Sequence, residues 1–78
     1  MAEHDLDVSG YQCPLPVLKA ARKLRDMASG DVLRLVATDP AASIDIAHFC
    51  GEQGHELLSE DHRDGALVFT IRKASPKP

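Results

Sequence analysis

The chain has 78 residues, enough for one domain with one hydrophobic core, and its formal net charge is −3 at pH 7. Hydrophobic residues make up 44% of it and charged residues 27%, which is typical of a soluble globular protein. Aromatic residues make up only 4% and tryptophan is absent, so a surface that stacks nucleic-acid bases is not expected. The sequence predicts one domain over residues 1–73 and a disordered tail over residues 74–78, because the tail has no large apolar residue to anchor it.

No segment resembles a signal peptide or a membrane span. The first seven residues mix acidic with apolar side chains, and no apolar run approaches the thickness of a bilayer. We therefore expect a cytoplasmic protein without a membrane partner. In that reducing compartment Cys13 and Cys50 are not expected to form a structural disulfide, so each needs its own explanation.

The first half of the chain predicts a strand, a helix and a second strand. Residues 4–9 alternate apolar with acidic side chains, which is typical of a short strand with one solvated face. Residues 14–28 have apolar side chains at helical spacing and basic ones opposite, and residues 32–38 form a β-branched and leucine-rich strand. The apolar positions assigned to this first helix are Val17, Leu18, Ala21, Leu24 and Ala28.

The second half predicts one more helix and a hairpin. Asp39 and Pro40 indicate an N-cap and a first-turn proline, and the helix is expected to run to about residue 53. Residues 55–61 and 66–73 predict two strands joined through a turn at residues 63–65. The positions expected to face inward from the second helix, where Cys50 is interpreted as a core residue, are Ala42, Ile46, Phe49 and Cys50.

The element order β-α-β-α-β-β predicts a two-layer α/β sandwich. Right-handed crossovers place both helices on one face of a four-stranded mixed sheet. The other face is expected to stay solvated. The strand residues assigned to that solvated face are Glu56, Glu60, Thr70 and Arg72.

A cysteine stands directly before two prolines where the first strand gives way to the first helix. A residue before proline is disfavoured in the helical region, so Cys13 is expected at or beside the N-cap. Pro14 and Pro16 are expected at the first and third helical positions, where a missing N–H costs little. The N–H groups of Leu15 and Val17 and the helix dipole would then lower the pKa of the Cys13 thiol. Cys13 is the predicted nucleophile, oriented by Pro14, Leu15 and Pro16.

Other thiol chemistries lack the residues that they need. Pro16 occupies the place of the second cysteine of a dithiol motif, and no base beside Cys13 is recognisable by spacing. No short ligand pair accompanies either cysteine, so neither a metal nor a cofactor is expected. One face of the second helix, interpreted as ordinary solvated surface, contains Asp45, His48 and Glu52.

The charges are unevenly distributed along the chain. Residues 13–25 carry a net charge of +4, while the rest carries −7. The basic face formed by Lys19, Arg22 and Lys23 is a candidate docking surface that would steer an acidic partner protein or an anion toward Cys13. The same pattern is also typical of a solvated helix face. Tight binding of nucleic acid is not expected, because the chain as a whole is acidic and poor in aromatic residues.

The segment CPLP at residues 13–16 resembles the Cys-Pro-x-Pro motif of the TusA/SirA-like sulfur carriers, and it stands where that motif stands. The stretches GYQCPLPVLKAARKL, GDVLRLVATDPAASIDIAHFC and GHELL are also similar to the family pattern, so the resemblance spans about residues 6–72. It implies the same two-layer sandwich. It also implies that Cys13 accepts sulfane sulfur from a cysteine desulfurase or rhodanese-type donor, holds it as a persulfide and relays it to an acceptor protein. Family members serve tRNA 2-thiouridine formation, sulfur oxidation and molybdenum cofactor supply.

Two other interpretations stay open at this point. The first is a regulatory or adaptor module that binds a partner through the basic face of the first helix without sulfur chemistry. The second is a redox sensor in which Cys13 is oxidised or forms an intermolecular disulfide.

Overall fold

The structure is a computed structural model, and it describes residues 2–74. Its elements follow the predicted order. The strands are β1 (Glu3–Val8), β2 (Val32–Ala37), β3 (Glu56–Arg63) and β4 (Ala66–Arg72), and the helices are α1 (Leu15–Arg25) and α2 (Ala42–Gln53). Among the described residues, no helix has both the length and the apolar character that crossing a membrane requires.

The four strands form one mixed sheet in the order β1-β2-β4-β3. Strands β1 and β2 are parallel, and β4 lies antiparallel to both β2 and β3. The β3–β4 turn consists of Asp64 and Gly65, whose φ angles are 48° and 80°. Two successive positive φ angles match the twist of a tight hairpin, which explains the Asp-Gly pair at this turn. The predicted fold class is therefore confirmed.

One hydrophobic core lies between the sheet and both helices, so the two helices cover the same face. At its centre Leu35 of β2 pairs with Phe69 of β4, and both side chains are fully buried. Helix α1 contributes Leu24 to this core and α2 contributes Ile46. The opposite face of the sheet carries no helix, and Arg34 of β2 is exposed on it, whereas Val68 of β4 is buried there.

Helix α1 is shorter than predicted and its buried stripe is rotated. It ends at Arg25 rather than at residue 28, and its buried residues are Pro16, Ala20 and Leu24. Leu18, predicted to face inward, is 57% exposed. The reason is that the stripe follows a spacing of four from the buried Pro16, which moves Leu18 beyond its edge.

The solvated face also differs from the prediction at one residue, Glu60. A register shift between Leu57 and Ser59 inserts an extra residue into β3. Because side chains alternate along a strand, the extra residue reverses the face of those after it. Glu60 therefore pairs with Phe69, and its Oε2 accepts a hydrogen bond of 2.7 Å from Ser43 Oγ on α2.

The buried carboxylate of Asp31 joins elements at the end of the sheet where β1 and β2 begin. It accepts hydrogen bonds from Ala2 N at 3.0 Å, from His4 Nε2 at 2.9 Å and from Ala28 N at 3.2 Å. These donors favour the charged form and lower the pKa of Asp31. Of the predicted tail, Ala74 donates its N–H to His55 Nδ1, and residues 75–78 lie outside the described part.

The rotated stripe of α1 predicts a stability contrast between two leucines of the same helix. Leu24→Ala removes a buried side chain and is expected to lower the free energy of unfolding by about 2–5 kcal/mol. Leu18→Ala, at an exposed position, is expected to change it by about 0.5 kcal/mol or less. Urea unfolding of both variants measures the difference, and equal losses would contradict this arrangement of α1.

Candidate active site

Cys13 lies in the loop between β1 and α1, at the end of the sheet where β2 leads into α2. It is exposed and directly precedes Pro14, the N-cap of α1. The Cys13–Pro14 peptide bond is cis. The prediction that Cys13 lies beside the N-cap is thus confirmed. The prolines stand one position earlier than predicted, because Leu15 is the first helical residue and Pro16 the second.

Hydrogen bonds tie the Cys13 loop to the β2–α2 connection. Cys13 N donates to Asp39 Oδ2 at 2.6 Å, and Gly10 N donates to Thr38 Oγ1 at 2.8 Å. Asp39 is therefore not the N-cap of α2, a position taken by Ala41. Its second oxygen, Oδ1, accepts a hydrogen bond of 3.0 Å from Ala41 N. One carboxylate thus links the backbone before α1 to the backbone before α2.

The thiol of Cys13 donates a hydrogen bond to a carboxylate of α2. Its Sγ lies 2.9 Å from Asp45 Oδ2. Asp45 stands in the first turn of α2, where the positive end of the helix favours a negative side chain. This contact contradicts the interpretation of Asp45 as part of an ordinary solvated face. It also places next to Cys13 a hydrogen-bond acceptor that spacing along the chain does not reveal.

The environment of Cys13 favours the thiol over the thiolate. The hydrogen bond to Asp45 is the largest cause that raises the Cys13 pKa, followed by desolvation and by the negative charges of Asp45 and Asp39. The prediction of a lowered pKa is therefore wrong. One of the expected donors, the N–H of Leu15, is instead bonded to Gln12 O at 2.9 Å. The end of an exposed helix acts as about half a charge, whereas Asp45 places a full carboxylate within hydrogen-bond distance of the sulfur.

The surface beside Cys13 combines apolar and basic side chains. Leu15 is 43% exposed and Tyr11 is 41% exposed. Lys19 Nζ lies 4.6 Å from the centroid of the Tyr11 ring, which is the distance of a cation–π contact. Within residues 2–74, neither Arg22 nor Lys23 forms a salt bridge. This part of α1 is therefore available to an acidic partner, although the structure brings neither residue into contact with Cys13.

Cys50 has the opposite environment. It is 2% exposed and packs in the core, which confirms its interpretation as a core residue. Burial raises the pKa of its thiol to about 11. Cys13 is therefore the one accessible thiol among the two cysteines.

The carboxylate next to Cys13 predicts the pH dependence of its alkylation. Since Asp45 raises the Cys13 pKa, Asp45→Asn is expected to lower the pH midpoint of Cys13 alkylation by iodoacetamide. The thiolate fraction at a given pH near neutrality then rises, and alkylation becomes faster. Glu52→Gln removes one charge from the exposed side of the same helix and serves as the matched control. An unchanged midpoint in Asp45→Asn would contradict the hydrogen bond between Cys13 and Asp45.

Comparison with known proteins assigns the chain to a family. The family model described as "Sulfurtransferase TusA" matches residues 4–73. The chain is 42% identical over 71 residues to a sulfur carrier protein TusA of Pseudomonas syringae, covering 91% of this chain and 84% of that protein. It is 46% identical over 72 residues to a putative sulfur carrier protein of Neisseria meningitidis, covering 92% of this chain and 97% of the relative.

A solved structure supports the fold. The crystal structure of a SirA-like protein from Desulfitobacterium hafniense superposes with a TM-score of 0.82 at 20% sequence identity, covering 92% of this chain and 99% of the other. The shared architecture agrees with the family match over almost the whole described chain. The chain with an exposed cysteine before a proline-bounded helix therefore belongs to the TusA sulfurtransferase family.

Proposed function

We propose that the protein is a sulfur carrier that holds sulfane sulfur as a persulfide on Cys13 and relays it to an acceptor protein. The observation that carries this proposal is the single accessible thiol of Cys13, fixed in a loop that is bonded to Asp39. Relatives in Pseudomonas and Neisseria that are named sulfur carrier proteins support it. Because Cys50 is buried, no second thiol of the same chain is available to remove the sulfur as a disulfide.

The transfer needs no external oxidant or reductant. Cys13 Sγ attacks the outer sulfur of a donor persulfide, a new Sγ–S bond forms, and the donor S–S bond breaks. The donor cysteine leaves as a thiolate and takes up the proton that the Cys13 thiol gives up. In the second transfer the acceptor thiol attacks the outer sulfur of the Cys13 persulfide, a new S–S bond forms on the acceptor, and the Sγ–S bond breaks. The sulfane sulfur keeps its oxidation state in both transfers.

The partners are a cysteine desulfurase or rhodanese-type donor and a downstream acceptor protein. The basic residues Lys19, Arg22 and Lys23 are proposed to orient an acidic surface of such a partner beside Cys13. Pro14, Leu15 and Pro16 shape the approach, since Leu15 is exposed while Pro16 is buried and anchors the helix start. The pathway we propose is tRNA 2-thiouridine formation or related sulfur trafficking.

The redox-sensor interpretation is less favoured by the geometry. Sensor cysteines are low-pKa thiolates, whereas the hydrogen bond to Asp45 raises the Cys13 pKa. A thiol that stays protonated reacts slowly with oxidants. The carrier step needs the thiolate as well, and in that step the proton of Cys13 passes to the leaving donor cysteine.

Mass spectrometry of the intact protein tests the proposed carrier role. After incubation with a cysteine desulfurase and cysteine, or with a rhodanese and thiosulfate, the wild type is expected to gain the mass of sulfur. Cys13→Ser is expected to gain none, because the accepting atom is absent. Cys50→Ser is the matched control and is expected to load like the wild type, since Cys50 is buried. Loading of Cys13→Ser, or no loading of the wild type by either donor, would contradict the proposal.

Charge reversal tests the docking surface and the adaptor interpretation together. Arg22→Glu with Lys23→Glu is expected to slow loading from a protein donor severalfold at low salt, because the steering charges are reversed. Loading from inorganic polysulfide is expected to slow less, because this small anion makes no extended contact with the basic face. Arg34→Glu, on the open face of the sheet, is the matched control. The adaptor would be favoured instead if the wild type takes up no sulfur, and if partner binding is kept in Cys13→Ser but lost on charge reversal.

A further inference from the structure

Cys13 has two chemical forms under the proposed function, and they differ in what they offer to Asp45. The unloaded residue ends in an S–H group, which donates to Asp45 Oδ2 at 2.9 Å. A loaded residue ends in a persulfide, which is a stronger acid than the thiol from which it forms and is therefore mainly an anion near neutral pH. An anion has no proton to donate, so the bond to Asp45 exists only in the unloaded form.

The charges around the sulfur act on the two forms in opposite directions. The described charged groups that act on Cys13 are Asp45 from α2 and Asp39 from the β2–α2 connection, and both are carboxylates. Asp45 stabilises the neutral thiol by accepting its hydrogen bond, whereas Asp39 acts on the sulfur only through its charge. Both carboxylates repel the negative charge of a persulfide anion, which lies on the outer sulfur, one S–S bond beyond Sγ.

We propose that Asp45 sets the transfer potential of the carried sulfur, by bonding to Cys13 when it is empty and repelling the anionic persulfide when it is loaded. This inference rests on the proposed carrier function. Both effects favour the empty thiol over the loaded form, so Cys13 gives up its sulfur more readily than a cysteine without this neighbour. Asp45 therefore makes the residue a good sulfur giver rather than a tight sulfur store.

Asp45 is well placed for this role because its position does not depend on Cys13. Its backbone N–H donates to Ala41 O at 3.0 Å in the first turn of α2. Neighbouring Ile46 on the same helix is fully buried in the core, which fixes that turn against the sheet. The backbone of Asp45 is thus held in place independently of Cys13, which keeps its carboxylate within reach of the sulfur in both forms.

Sulfur exchange with glutathione tests the proposal. In this exchange the Cys13 persulfide anion and glutathione give the Cys13 thiol and the glutathione persulfide anion, so one sulfur and one proton change places. The ratio of loaded to empty Cys13 is measured at pH 7 by intact mass after alkylation. The equilibrium ratio is reached once from loaded protein and once from empty protein, each time at a fixed ratio of glutathione persulfide to glutathione.

Asp45→Asn is expected to raise the ratio of loaded to empty Cys13 by about three- to tenfold, since it removes the charge-assisted bond and the repulsion. Asp45→Ser, which keeps a small polar residue at the helix start, is expected to raise the ratio as well. Glu52→Gln is the matched control, because it removes one charge from a more exposed position of α2, and it is expected to match the wild type. Thermal unfolding of each variant checks that the fold is retained.

The outcomes separate this inference from the function on which it rests. A higher loaded fraction in both Asp45 variants, with no increase in Glu52→Gln, supports the role of Asp45. A wild type that loads while Asp45→Asn shows the same or a lower loaded fraction overturns that role and leaves the carrier function intact. A wild type that never acquires sulfur on Cys13, from glutathione persulfide or a protein donor, overturns the carrier function and this inference with it.

Discussion

The parallel pairing of β1 with β2 is the constraint on which the site depends. It brings the carboxyl ends of both strands to the same edge of the sheet, where each strand leads into a helix. Cys13 follows one strand and Asp39 follows the other, so residues far apart in the chain become neighbours. The carboxylate of Asp39 then joins the two connections through backbone N–H groups. The starts of both helices are fixed relative to each other as a result.

The chemistry of the site depends on the side chains at the two helix starts, which are Cys13 before α1 and Asp45 in the first turn of α2. The positive end of α2 supports the carboxylate of Asp45, and that carboxylate accepts the Cys13 proton in a hydrogen bond. The positive end of α1 would lower the Cys13 pKa, but it is outweighed by Asp45, which raises that pKa. The empty carrier is a protected thiol. Under the proposed function, the reaction partner of this thiol is the persulfide of a donor protein.

Much of the fold was predictable from the sequence, because periodicity records which side chains face the core. The order of elements, the hairpin turn at Asp64 and Gly65 and the burial of Cys50 all follow from local patterns. The bulge in β3 was not predictable, since one inserted residue leaves no mark on the composition and still reverses the face of Glu60. The rotation of α1 was also missed, because Pro16 reads as a helix-start residue rather than as part of the core.

The site was predictable only in part, for a related reason. Cys13 and its prolines are adjacent in sequence, so their placement before a helix could be inferred from local rules. Asp45 stands on another helix, and it is the pairing of β1 with β2 that brings it next to Cys13. No spacing along the chain therefore connects the two residues. Asp39 and Pro40 lie just before α2 and indicated that a helix begins there, but they did not indicate which residue of its first turn reaches Cys13. The direction of the Cys13 pKa shift was predicted wrongly because Asp45 was not recognised as a neighbour of the thiol.

The measurement that tests the account most directly is the state of Cys13 in the protein isolated from growing cells. Rapid alkylation without reductant, followed by mass spectrometry of the peptides, reports the sulfur on each cysteine separately. The account predicts a fraction of Cys13 carrying one additional sulfur, with Cys50 unmodified because it is buried. A Cys13 that is always an unmodified thiol, in cells that contain an active sulfur donor, would contradict the carrier role.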